Sequence, residues 1–299
     1  MRTAFIEQLI LEARRNERIF LIVGDLGFNV VEPFANEFPD RFLNVGICEQ
    51  NMAGIAGGLA MNDWIVYMYS IGNFPTLRCI EQIRNDIVYY GSNVRIISVG
   101  AGFAYGSQGV SHQATEDVAM MRSLPNLIVC CPSDPVEARM LVAQSVSYQG
   151  PMYIRLGKAG EKTIHSTEID NYKLGTLLPI IINKENRSVV LSSGAITSRV
   201  IDSIYGKELP YDVYTIPVIK PISTDQICEI AGHYNQILII EENQKAGGVG
   251  SAIVELLSDA YNDNRLESFP KIKRLAINDE FLPVAGSQSY LQEKAGLLL

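Results

Sequence analysis

Long apolar runs are missing from this chain. Its apolar runs, such as residues 177–182 (LLPIII) and 237–240 (ILII), fall far short of the ~18 residues needed to span a bilayer. Charge interrupts residues 1–20 (MRTAFIEQLILEARRNERIF) every few positions, the pattern of an amphipathic helix and not of a secretory signal. Clustered basic residues are missing too. The 25 Lys and Arg face 33 Asp and Glu, a net charge of −8 with no block of either sign. That argues against nucleic acid and against an electrostatic membrane anchor. The five cysteines (Cys48, Cys79, Cys130, Cys131 and Cys228) show no metal-ligand spacing. They read as reduced packing residues of a cytoplasmic protein. No Walker motif, HExxH or GxSxG occurs, so the commonest phosphate, zinc and serine-hydrolase signatures are absent.

What is present is an ordinary globular balance, 47% apolar and 19% charged, over 299 residues. At about 150 residues per domain, that length suggests two domains with a sizeable core. Short apolar runs alternate with helical patterns. Strands are expected at residues 19–24, 65–69, 94–99, 127–131 and 152–156, and again at 188–192, 211–216, 237–241 and 272–277. Helices are expected at 49–61, 75–90, 116–122, 135–144, 197–205, 248–259 and 287–298. Strands alternating with helices imply parallel sheets covered on both faces. The reading is α/β, with two doubly wound domains at 1–165 and 180–299 joined by a linker at about 157–185.

Doubly wound sheets bind ligands at the carboxyl ends of their strands, which selects the loops to inspect. Glu49 opens an almost chargeless helix, so its carboxylate is expected to be buried and suited to sharing a proton, or simply to sit at a helix start. His112 ends a Gly-rich loop and is either a proton donor or a polar loop residue. Asp25, after the first strand, could orient a ligand amine or cap its turn. His165 and His233 read as structural. The Gly100–Gly109 loop and residues 247–250 (GGVG) look faintly like nucleotide loops, without the spacing or acidic partner that binding would need.

Taken in order, these loops resemble the C-terminal half of transketolase. Residues 42–56 (FLNVGICEQNMAGIA) resemble the pyrimidine-binding signature of thiamine-diphosphate enzymes. Residues 24–26 (GDL), 73–78 (NFPTLR), 109–113 (GVSHQ), 131–134 (CPSD), 153–156 (YIRL) and 241–250 (EENQKAGGVG) follow in the family's order. The resemblance implies that Glu49 contacts the aminopyrimidine of thiamine diphosphate, with Phe74, Asp25 and Ile47 also at the cofactor. It implies that His112, Arg155, Gln108 and Arg78 face the substrate, Arg155 gripping its far end. The implied reaction moves a two-carbon ketol unit from a ketose to an aldose.

The family's Gly-Asp-Gly motif, which holds the diphosphate and Mg²⁺ in a separate domain, does not occur here. The resemblance is therefore to one subunit of a split transketolase. A pyrophosphate-binding partner would carry the metal and diphosphate, in a heterotetramer acting on sugars or sugar phosphates. Two positions depart from the family: Gly100 replaces a His that helps grip a sugar phosphate, and Gln108 replaces an Asp that contacts a substrate hydroxyl. A modified or unphosphorylated sugar, or another keto donor, is therefore expected. The alternatives are a deoxyxylulose-phosphate-synthase-like activity, a 2-oxo-acid dehydrogenase beta-type subunit, a non-catalytic structural or regulatory subunit and a nicotinamide-dependent enzyme.

Overall fold

The computed structural model describes residues 1–299. Six strands come first: β1 (Ile19–Val23), β2 (Phe42–Asn44), β3 (Ile65–Ile71), β4 (Val94–Val99), β5 (Ile128–Cys130) and β6 (Met152–Leu156). Six more follow: β7 (Leu178–Ile181), β8 (Ser188–Ser192), β9 (Tyr211–Thr215), β10 (Val218–Lys220), β11 (Gln236–Gln244) and β12 (Lys271–Ile277). The central strands are apolar along their length because parallel sheets are covered on both faces. They form a seven-stranded sheet ordered β10-β5-β6-β4-β3-β1-β2 and a five-stranded sheet ordered β12-β11-β8-β9-β7. All pairings are parallel except β10 with β5 and β7 with β9, each at a sheet edge. The expected strands at 94–99, 152–156 and 188–192 match β4, β6 and β8 residue for residue.

Arg95 interrupts an apolar strand, and the structure shows why it is tolerated. Its guanidinium is fully buried and donates to the carbonyls of Ser145, Tyr148 and Gly150 at 2.6–2.9 Å. These lie at and just beyond the end of the helix Pro135–Ser147, whose last carbonyls have no helical partner. A cation there also suits the helix dipole.

Several features depart from the sequence reading. First, residues 75–90 do not form one helix. A 3₁₀ turn (Leu77–Cys79), one α turn (Ile80–Gln82) and a π segment (Ile83–Val88) succeed one another. Thr76 and Cys79 have non-helical dihedrals, so apolar spacing alone overstated the regularity. Second, β10 belongs to the first sheet, although in the chain it follows β9 of the second. It pairs Val218 with Cys130 and covers the edge of β5. Third, a short helix at Glu32–Glu37 and the strand β2 had no clear periodic signal. Cys48 also departs from the packing role: it is exposed, whereas Cys79, Cys130 and Cys131 are buried and all five thiols are free.

The glycine-rich loops are filled by the protein itself. A Cβ at Gly100 would lie 2.2 Å from Tyr105, at Gly102 2.5 Å from Glu242, and at Gly106 2.2 Å from Leu291. That is close packing, not a phosphate cradle. Residues 247–250 likewise start the helix Val249–Asn262, and the Glu241 carboxylate accepts the N–H groups of Val249 (2.7 Å) and Gly250 (2.9 Å). Burial pushes that carboxyl up to about 7.

The largest apolar cluster, of 35 buried residues, includes Ile22, Met52 and Val66 from the first sheet's layers and Val189, Leu191 and Ile239 from the second, so the two halves share one core. No helix is long and apolar enough to cross a membrane. The linker is pinned where it passes the helix Pro135–Ser147. Asp134 caps that helix through Glu137 N–H and accepts the N–H groups of Ile164 and His165. Glu137 is buried and accepts from Thr215 Oγ1 (2.5 Å), Ser133 N–H (2.6 Å) and His165 Nε2 (2.9 Å). Burial lowers the His165 pKa, but the hydrogen bond and charge of Glu137 outweigh it and hold it above the ordinary value.

A raised imidazole pKa stabilises the fold below the unfolded value of about 6.5, and that contribution fades as pH rises through the native value. The substitution His165→Gln is expected to cost about 1 kcal/mol in urea unfolding at pH 6. The gap to wild type should close by pH 9; a gap that widens with pH would remove the charged pair from this role.

Candidate active site

The site forms at the carboxyl ends of β1, β3 and β4. After β1, Asp25 adopts a positive φ of 53° and its N–H donates to Asn44 Oδ1 at 3.0 Å. Asn44 Nδ2 donates back to Asp25 Oδ1 at 3.1 Å, and Gly46 N–H also donates to Asn44 Oδ1. Asn44 thus ties the first loop to the 44–48 turn, leaving Asp25 exposed and Ile47 71% exposed. That turn delivers Glu49 to the first position of the helix Glu49–Ala60. The small residues of this helix let it approach closely: a Cβ at Gly57 would lie 2.7 Å from the Asp86 carbonyl. Glu49 is only 4% exposed, at a helix start where its charge is favoured.

Arg78 crosses the mouth of this position. Its Nη1 donates to both Glu49 oxygens, at 3.2 and 3.1 Å, and its guanidinium lies 3.9 Å from the Phe74 ring centroid. The aromatic face expected to receive a pyrimidine ring is covered by this guanidinium. His112 packs edge-on against Phe74 at 5.1 Å between centroids, with Nδ1 3.0 Å from Ser111 Oγ. Partial burial, then the charge of Arg78, holds the imidazole below the ordinary histidine value. Asn73 fixes the same loop through Nδ2 to the Gln113 carbonyl at 2.7 Å. Asn73 Oδ1 and Gln113 Nε2 are buried without partners, and both residues line a 540 Å³ cleft with Phe74, Arg78, Val110 and Phe281. A larger cleft of 710 Å³, around Lys158, Arg199 and Gln292, shares no residue with this group.

Of the residues singled out in the sequence, Glu49, Phe74, Arg78 and His112 meet in one cluster. Asp25 and Ile47 lie on the adjoining exposed turns, and Gln108 is exposed on the 3₁₀ turn Gly106–Gln108. Arg155 is elsewhere. It is 3% exposed, with Nε on Asp117 Oδ2 at 2.7 Å and Nη2 on the carbonyls of Ala114 (2.7 Å) and Glu242 (3.0 Å). It is therefore a buried structural cation in this chain, and the expectation that it grips a substrate is corrected. Asn73 and Gln113 lay inside the quoted motifs, but only their unpartnered amide atoms in the folded chain mark them.

Fold and site together define a two-domain α/β chain that presents a buried carboxylate, an aromatic ring and an imidazole at the rim of its first sheet. Comparison with known families agrees over nearly the whole length. Residues 1–160 match the transketolase pyrimidine-binding domain and residues 181–297 the transketolase C-terminal domain. The chain belongs to the transketolase family. It is 31% identical to a putative transketolase C-terminal section from Methanocaldococcus jannaschii, over 94% of this chain and 87% of that one. It is 27% identical to one of the subunits of an apulose-4-phosphate transketolase from Actinobacillus succinogenes, over 98% and 92%. A split-gene transketolase solved as an inactive beta4 tetramer superposes with a TM-score of 0.85 at 31% identity, covering 99% of this chain and 93% of that one. Similarity at these lengths corresponds to the C-terminal subunit of the split form.

The geometry around His112 gives a direct check. Its NMR titration midpoint is expected below 6.5, and Arg78→Gln should move it upward by removing the nearby positive charge. An unchanged midpoint in that variant would mean that Arg78 does not face the ring in solution.

Proposed function

We propose that this chain is the pyrimidine-ring half of a two-chain, thiamine-diphosphate-dependent transketolase that moves a two-carbon ketol unit from a ketose to an aldose. The observation that carries the reading is the buried Glu49 carboxylate at the start of its helix, beside Phe74 and His112. These residues suit an aminopyrimidine: a carboxylate for a ring nitrogen, an aromatic face and unpartnered amide groups nearby. Thiamine diphosphate, when bound, supplies the electron sink for breaking and making the carbon–carbon bond. Glu49 holds or shares a proton at the ring nitrogen. Arg78 must release the Phe74 face, exchanging its cation–π contact for the ring. His112, neutral near pH 7, hydrogen-bonds substrate hydroxyls or carries a proton.

The missing Gly-Asp-Gly motif supports placing Mg²⁺ and the diphosphate on a partner subunit. Phe28, Ile47 and Phe281 are each about 70% exposed on the loops around the site, an apolar rim suited to a subunit contact. A heterotetramer is the proposed assembly and the cytoplasm the proposed location. The substrate reading follows from Gly100: Tyr105 fills the space where a side chain would project, so the usual sugar-phosphate grip is not available there. A modified or unphosphorylated sugar is the proposed donor.

The test uses both subunits with Mg²⁺ and thiamine diphosphate, and follows exchange of the cofactor's C2 proton by NMR. Glu49→Ala should slow that exchange by about 100-fold or more while circular dichroism and subunit association stay unchanged. Exchange near the wild-type rate would remove Glu49 from its role. Tight, Mg²⁺-dependent cofactor binding by the isolated chain would contradict the shared site. Turnover of xylulose 5-phosphate and ribose 5-phosphate at an ordinary transketolase rate would sink the substrate proposal.

A further inference from the structure

The loop that carries His112 is held from the second domain. It leaves the end of β4 and closes on itself at a neck, where Gly102 and Ala114 exchange two backbone hydrogen bonds of 2.9 Å as an isolated antiparallel bridge. His112 lies two residues before Ala114. The neck is met by β11. Glu242 Oε1 accepts the Phe103 N–H at 2.6 Å, and Oε2 accepts Gln292 Nε2 at 2.7 Å and Gln288 Nε2 at 3.0 Å. The Glu242 carbonyl and the Ala114 carbonyl share one donor, Arg155 Nη2. Two residues on, the Gln244 N–H donates to the Thr115 carbonyl at 2.7 Å. Both sides of the neck are therefore hydrogen-bonded to β11 or to the arginine that spans to it. Gly102 is obligatory here: its φ is +59°, and a Cβ would lie 2.5 Å from Glu242 Cγ.

A carboxylate is a costly way to fill this space. Burial raises the Glu242 pKa, against the hydrogen bonds from Phe103 and Gln292 and the charge of Arg155. An apolar side chain would pack without that desolvation cost. What only the carboxylate supplies is several directed acceptors at once, one aimed at a loop N–H. The site side of the loop is fixed separately, by Asn73 on the Gln113 carbonyl. Two anchors from two domains thus bracket His112.

We propose that Glu242, acting with Arg155, is a positioning residue through which the second domain sets the place of His112 against Phe74. The inference rests on the reading of His112 as a site residue, but its first test does not depend on that reading.

The experiment uses the two-subunit enzyme carrying Glu242→Ala or Glu242→Gln. Amide hydrogen exchange should be about tenfold faster or more across 103–114 in Glu242→Ala, and less so in Glu242→Gln, which keeps an acceptor for Phe103. Exchange in the Glu49 helix should not change. The His112 titration midpoint should move toward the ordinary value of about 6.5 in Glu242→Ala. C2 proton exchange of bound thiamine diphosphate should stay within about twofold of wild type, because Glu49 is untouched. Unchanged loop exchange in a folded Glu242→Ala protein would overturn the proposal, as would parallel loosening of the Glu49 helix. If Glu242→Ala does not fold, the same readouts on Glu242→Gln decide. Absence of C2 exchange in the wild-type enzyme would defeat the proposed function and leave the loop result standing.

Discussion

The ion pair between Arg155 and Asp117 joins the parts on which the rest of the molecule depends. Arg155 projects from β6, Asp117 begins the helix Asp117–Ser123, and both are almost fully enclosed at 2.7 Å. Tyr153 donates to the same Asp117 oxygen at 2.5 Å. Arg155 Nη2 reaches the His112 loop at Ala114 and the second sheet at Glu242. Such a pair is weak evidence of net stability against an apolar alternative, but losing one partner strands a buried charge at about 3–5 kcal/mol. The pair therefore couples three elements that sequence separation keeps apart. It also consumes the cation that sequence reasoning assigned to substrate.

That misassignment shows which information the sequence held. Strands buried on both faces wrote themselves as apolar runs, so β4, β6 and β8 could be read to the residue. Glu49 and His112 stood out as polar residues in strand-end loops against such a background, whereas Phe74 entered only through the resemblance. Arg155, placed at the substrate by the resemblance, misled, since a cation at a strand end looks alike whether it meets solvent or a buried aspartate 38 residues away. Long-range pairing is invisible to local pattern. The same reason hid β10, whose three residues carry no period and join the first sheet across the chain. The broken 75–90 segment is the converse case: its spacing was helical, and tertiary contacts with the Glu49 helix overrode it.

Stability and chemistry occupy different parts of the chain. The core that the two sheets share lies between the domains, under Met52, Val66, Val189 and Ile239. The residues assigned to chemistry sit on the rim, where Phe28, Ile47 and Phe281 leave apolar surface exposed. Large exposed apolar side chains beside such residues are the kind of surface a second chain would cover. The guanidinium of Arg78 fits this division. It satisfies Glu49 with two hydrogen bonds and covers Phe74 as a flat cation, so the carboxylate is not left buried and unpaired. A planar group that donates to a carboxylate while lying on an aromatic ring also describes a protonated aminopyrimidine. The features that would make the site receptive to such a ring are those that hold Arg78 there without it, so any ring that enters must displace an interaction of its own kind.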